Sequence, residues 1–201
     1  MLRPPLGFTV PRRVGLLGGS FNPAHDGHRH VSEEALARLG LDQIWWLVAP
    51  QNPLKPEQGM AAFGKRLAAA QAIASDRRIK VLDLEARLGT RYTIDTLAAL
   101  TRLYPRTCFV WLMGADNLRQ IRYWRRWRAI FHLLPIAVMD RPSYSRRALS
   151  ELAAQSFRRH RLSPGAARKL ACSTPPAWTF LPIRLDPHSA SDIRANRKKT
   201  H

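Results

Sequence analysis

The stretch Val14 to His28, VGLLGGSFNPAHDGH, decides how the chain is read. Val14, Leu16 and Leu17 suit a buried strand, Gly18-Gly19 ends it, and Asn22-Pro23 marks a turn. Asp26 then stands where a side-chain oxygen can cap a helix running from about Gly27 to Leu39. The free N–H groups and positive end of such a helix attract phosphate. Gly18, Gly19 and Gly27 carry no β-carbon, so a nucleotide can lie almost against the main chain. His25 and His28, three apart, share one helical face. Neither the Gly-Lys-Ser/Thr ending of a P-loop nor the Gly-x-Gly-x-x-Gly of a dinucleotide fingerprint is present. The segment is expected to hold a polyphosphate by another arrangement of the same parts.

Outward from this stretch, apolar strands and helices alternate. Gln43 to Ala49 reads as a second strand, Pro50 to Gly59 as a proline-rich loop, and Ala61 to Ala74 as an alanine-rich helix. A strand at Ile79 to Asp83, a helix at Thr93 to Tyr104 and the most apolar strand, Thr107 to Met113, follow. Leu134 to Met139 suits another strand, Ser143 to Cys172 a basic helical region, Trp178 to Leu181 a last short strand, and Ser189 to about Lys198 a final helix. Such alternation predicts an α/β fold with a mainly parallel sheet and helices on both faces. Ligands then gather beyond the carboxyl ends of the strands, where strand order reverses. Gly18-Gly19, Pro50 to Lys55 and Gly114 to Asp116 all follow strands, so they should converge at one crevice.

The 201 residues fit one domain, with 1–13 as a basic tail and 195–201 as a second one. Hydrophobic content of 45% and six tryptophans argue against disorder, and no apolar run reaches the roughly 18 residues of a membrane span. The N-terminal segment lacks the apolar centre of a secretory signal, so a soluble, cytoplasmic protein is expected. Cys108 and Cys172 stand in different settings without zinc spacing, which reads as two free thiols. The net charge of +19 welcomes anions, but it is grouped at Arg122 to Arg128, Arg141 to Arg161 and Arg194 to Lys199 without an aromatic RNA-binding signature or a DNA-reading motif. No specific nucleic-acid partner is expected.

GGSFNPAHDGH resembles the His-x-Gly-His signature of the nucleotidyltransferase superfamily, and GGSFNPAH in particular is similar to bacterial nicotinate-nucleotide adenylyltransferases. Further matches follow in order: NPLKP at Asn52 to Pro56, RYTIDTL at Arg91 to Leu97, LMGADNL at Leu112 to Leu118, Trp124 with Trp127, Arg141-Pro142, and SASDIR at Ser189 to Arg194. The resemblance implies a Rossmann-like, doubly wound α/β fold and transfer of the adenylyl group of ATP to nicotinate mononucleotide, giving deamido-NAD and pyrophosphate.

It also implies roles. His25 and His28 would grip the triphosphate and stabilise charge at the reacting phosphate. The ATP side would further comprise Gly18, Gly19, Phe21, Gly27, Gly114, Asp116, Ser189, Ser191 and Arg194. Asp116 would meet ribose hydroxyls; read from sequence alone, it equally suits a helix cap. Ala190 stands where the family carries a hydroxyl, so only its backbone can contribute. The mononucleotide side would comprise Ser20, Asn22, Lys55, Thr93, Trp124 and Arg141, with Trp124 stacking on the pyridine ring and Thr93 with neighbouring amides receiving its carboxylate. Trp124 and Trp127 are also at helical spacing, so packing alone can explain either. Mg²⁺ would arrive with ATP, held by phosphates and water, and no protein metal site is expected. Asn22, where many relatives carry aspartate, points to hydrogen bonding.

The nearest alternative is a nicotinamide-mononucleotide adenylyltransferase, since carboxylate and amide differ by one or two hydrogen bonds. A phosphopantetheine adenylyltransferase or a cytidylyltransferase would share the first motif but leave RYTIDTL and Trp124 unexplained. A basic RNA-binding protein would instead show steep salt dependence and survive loss of either histidine. Oligomeric state is open.

Overall fold

A computed structural model describes residues 12–51, 58–140 and 148–183. The first strand, β1, is Arg13–Gly19; a parallel strand pairs with each of its edges, and its apolar side chains are buried in the packing layers on the two faces of the sheet. Helix α1 (Asp26–Leu39) leads to β2 (Gln43–Val48), α2 (Phe63–Ile73) to β3 (Ile79–Leu82), and α3 (Leu84–Leu88) with α4 (Thr93–Leu103) to β4 (Cys108–Gly114). After α5 (Ala115–Gln120) and α6 (Trp127–Leu133) come β5 (Ile136–Met139), a two-residue β6 (Arg161–Leu162) and β7 (Trp178–Leu181).

Among the described residues the seven strands form one sheet in the order β3-β2-β1-β4-β5-β7-β6, and every pairing is parallel. The chain steps outward from β1 to β3 and then crosses back to β4 on the other side of β1. That reversal puts the switch point between β1 and β4, where a doubly wound sheet opens its ligand crevice.

Side chains alternate across the strands and give each face its own core. Val14, Leu16, Trp45, Phe109, Trp111 and Met113 meet Leu97, Leu100, Ile130 and Phe131 from α4 and α6. On the opposite face Leu17, Ile44, Trp46, Val110 and Leu112 meet Val31, Ala35, Leu36 and Leu39 of α1. The expected doubly wound arrangement is therefore present, and Trp127, buried at 8% exposure, belongs to the core.

Three expectations need correction. The region up to Cys172 is not mainly α-helical: among its described residues it holds a five-residue helix, Leu152–Ser156, then β6 and 3₁₀ turns ending in Pro164–Cys172. Helix α3 and strand β6 were not expected at all. Cys108 and Cys172 remain free thiols, yet they share one setting, with sulfurs 2.8 Å apart. No described helix is long and apolar enough to cross a membrane.

Burial pushes the carboxyl of Glu85, in α3, from an ordinary 4.5 up to about 7. The folded chain then keeps a proton that the unfolded chain has already released, so stability falls as pH rises between about 4.5 and 7, by about 3 kcal/mol in all. Glu85→Gln should match the parent at pH 4.5 and exceed it in urea midpoint at pH 8. Parallel pH profiles for the two proteins would remove the burial effect.

Candidate functional site

The carboxyl ends of β1, β2, β4, β5 and β7 align in register: Gly19 stands opposite Val48, Gly114 opposite Met139, and Met139 opposite Leu181. The turn Ser20–His25 leaves β1 at this edge and delivers the chain to α1. Helix α1 needs acceptors for its first N–H groups. Its cap is not Asp26, as expected, but His25, whose backbone is extended and whose Nδ1 accepts from the Gly27 N–H at 3.1 Å. Reciprocally, Nδ1 of His28 accepts from the His25 N–H at 3.3 Å. Asp26 lies in the first turn and pairs with Arg29 at 3.0 Å on the surface.

This reciprocal box fixes the chemistry of both imidazoles. A ring nitrogen that accepts a hydrogen bond carries no proton, so Nε2 is the nitrogen bearing hydrogen in each neutral ring. Two N–H donors are thereby set beside the helix's positive end, with ring centroids 4.0 Å apart.

His28 is held from below. Phe21, in left-handed backbone at φ +46°, packs its ring 4.8 Å from His28 and stacks on Trp46 at 5.1 Å. The Trp46 Nε1–H donates to Ser32 Oγ at 2.8 Å, and the Ser32 hydroxyl donates to the His28 carbonyl at 2.8 Å. Sequence reasoning missed Ser32 and Trp46; they sit in an ordinary helix and strand with no motif around them.

Asn22 bonds to the backbone of the chain that precedes α2. Its Nδ2 donates to the Gly59 carbonyl at 3.1 Å and its Oδ1 accepts from the Ala61 N–H at 3.3 Å. Gly27 is buried in the first turn of α1, and Gly19 lies beside the Phe21 ring. Gly18 has a different reason to be glycine. A β-carbon there would stand 2.4 Å from Cη2 of Trp111, so the missing side chain admits an indole, whereas sequence reasoning reserved that space for nucleotide.

Gly114 ends β4 and caps α5 through its backbone alone. Asp116, in the first turn, does not cap that helix but lines a polar cavity of about 260 Å³ with Arg119, Gln120, Arg122 and Tyr123. Thr93 is the first residue of α4, and the preceding Tyr92 supplies no side-chain cap. The Arg125 guanidinium lies 4.7 Å over the Tyr92 ring, and its neighbour Trp124 meets Trp111 edge-on at 6.2 Å. Residues far apart in sequence, Thr93 and Trp124, are thus brought to neighbouring segments. Lys55, Arg141, Ser189, Ser191 and Arg194 lie outside the described residues. Among the described residues, no group of three or more His, Cys, Asp or Glu side chains can hold a metal.

The cytidylyltransferase-like family matches residues 16–196. The chain is 55% identical to a probable nicotinate-nucleotide adenylyltransferase of Parvibaculum lavamentivorans, over 92% of each chain. It is 48% identical to the protein of that name in Cereibacter sphaeroides, over 90% of this chain and 96% of the other. Among solved structures, a Plasmodium falciparum nicotinic acid mononucleotide adenylyltransferase complexed with NaAD superposes with a TM-score of 0.67 at 17% identity, covering 92% of this chain and 83% of that one.

Gly18→Ala should lower stability by about 1–3 kcal/mol, because a buried indole has little room to retreat. Gly19→Ala, whose methyl would sit 3.5 Å from the Phe21 ring in ordinary contact, should cost less. Urea denaturation of the two variants distinguishes the positions; equal losses would void the packing assignment.

Proposed function

The chain belongs to the nicotinate-nucleotide adenylyltransferases of the cytidylyltransferase-like family, and we propose that it joins ATP to nicotinate mononucleotide, releasing pyrophosphate and deamido-NAD. The observation that carries this reading is the imidazole box at the amino end of α1, set at the carboxyl edge of the sheet. The phosphate of the mononucleotide attacks the α-phosphorus of ATP, the bond to the β-phosphate oxygen breaks, and pyrophosphate leaves. No covalent intermediate is required if both substrates are held in line, so the protein's work is positioning and charge stabilisation. His25 and His28, donating through Nε2, serve as catalytic residues on the phosphates, and the backbone of Gly19, Phe21 and Gly27 lies beneath them. Asp116 takes the ribose hydroxyls of the adenylate.

The mononucleotide lies on the other side of the crevice, near Ser20 and Asn22. Trp124 stacks on its pyridine ring, and the uncapped amino end of α4 at Thr93 receives the ring carboxylate. A helix amino end favours a carboxylate over a neutral amide, which supports nicotinate over nicotinamide. Lys55 and Arg141 retain their proposed places on the mononucleotide side, and Ser189, Ser191 and Arg194 theirs on the ATP side, through the resemblance alone. The donor-rich turn fits a Mg²⁺ ion that arrives on the phosphates: it offers N–H groups to anions and no carboxylate cage to a cation. When bound, the ion neutralises phosphate charge. Substrates of this kind suit residence in the cytoplasm.

Incubation with ATP, Mg²⁺ and nicotinate mononucleotide should release pyrophosphate, and absence of turnover by folded protein rejects the assignment. Compared side by side, kcat/KM should favour the nicotinate substrate by about 10-fold or more over its amide. His28→Ala should lower kcat by about 10²–10⁴ while the far-ultraviolet dichroism persists, and near-normal kcat would refute its role.

A further inference from the structure

An arginine that no motif singled out lies beneath the same crevice. Arg66, in α2, is 3% exposed. Its Nη1 donates to the carbonyls of Ser20 at 2.6 Å and Ala49 at 2.7 Å, its Nη2 to that of Pro50 at 2.6 Å, and its Nε to that of Ala61 at 2.9 Å. One guanidinium thus ties together the chain leaving β1, the chain leaving β2 and the start of α2. Burial weakens its hold on its proton, and no carboxylate among the described residues pairs with it. A buried charge without an ionic partner is costly, so its four carbonyl acceptors must be held close.

We propose that Arg66 is a positioning residue for the mononucleotide: it sets the turn Ser20–Asn22 and joins it to the strand-β2 exit, without touching substrate. A trans peptide is planar with its C=O and N–H opposed. The bond that turns the Ser20 carbonyl toward Arg66 therefore turns the Phe21 N–H the opposite way. It also helps hold Phe21 in left-handed backbone, a conformation disfavoured for a residue with a side chain. Asn22, two residues on, completes the same tie through Gly59 and Ala61. Arg66 and Asn22 thereby fasten both ends of the connection between β2 and α2 to the turn that follows β1. The imidazole box at His25 and His28 shares Phe21 with this tie, but Ser32 and Trp46 hold His28 from α1 and β2 without contact to Arg66, so the box keeps support of its own.

This inference rests on the proposed reaction, and the parent protein's turnover tests that reaction separately. Arg66→Lys keeps the charge but loses the fork; Arg66→Met loses both. Both should raise KM for nicotinate mononucleotide by about tenfold or more, Met beyond Lys, while the dissociation constant for ATP moves by less than about threefold. Millimolar guanidinium should recover part of the lost mononucleotide affinity in Arg66→Met. An active parent whose folded variants show unchanged KM, or equal losses for both substrates, overturns the proposal. Failure of both variants to fold also overturns it, because Arg66 would then be part of the core and not of the site.

Discussion

The first N–H groups of α1 need acceptors, and the chain supplies them from imidazole rings. This interaction organises the rest of the site. A serine or aspartate cap would have satisfied the helix equally well, but it would have left no N–H donor behind. His25 and His28 each give Nδ1 inward and keep hydrogen on Nε2. The helix end is therefore satisfied locally while a pair of donors stands at the carboxyl edge of a parallel sheet. Phe21 and Trp46 keep those rings in register, and Ser32 fixes the carbonyl of the first turn.

Most of the sheet was legible because parallel strands buried on both faces must be apolar along their whole length, as QIWWLV and CFVWLMG are. Helix α3 and strand β6 were not, since elements of five and two residues are held by neighbours and carry no periodicity of their own. The His25–His28 pair was visible in its spacing, but its capping role was misassigned to Asp26: the usual preference for carboxylate caps lost to a ring that caps the helix and packs against the second ring at once. Gly18 shows the opposite error. Its glycine looked like ligand space, and only the fold reveals Trp111 filling it.

Arg66 left a trace that periodicity could have exposed. Phe63, Arg66, Leu67 and Ala70 fall at the spacing of one buried helical face, where an arginine is out of place unless something holds it. The approach of the Thr93 and Trp124 segments was expected from the resemblance alone and left no trace in periodicity, because it depends on how α4 meets the segment before α6.

The carbonyl clamp around Arg66 also separates two kinds of response to acid. Guanidinium keeps its proton throughout the physiological range, and amide oxygens do not titrate there. The scaffold of the crevice consequently holds its shape through swings of acidity that would loosen a frame built from histidine or carboxylate pairs.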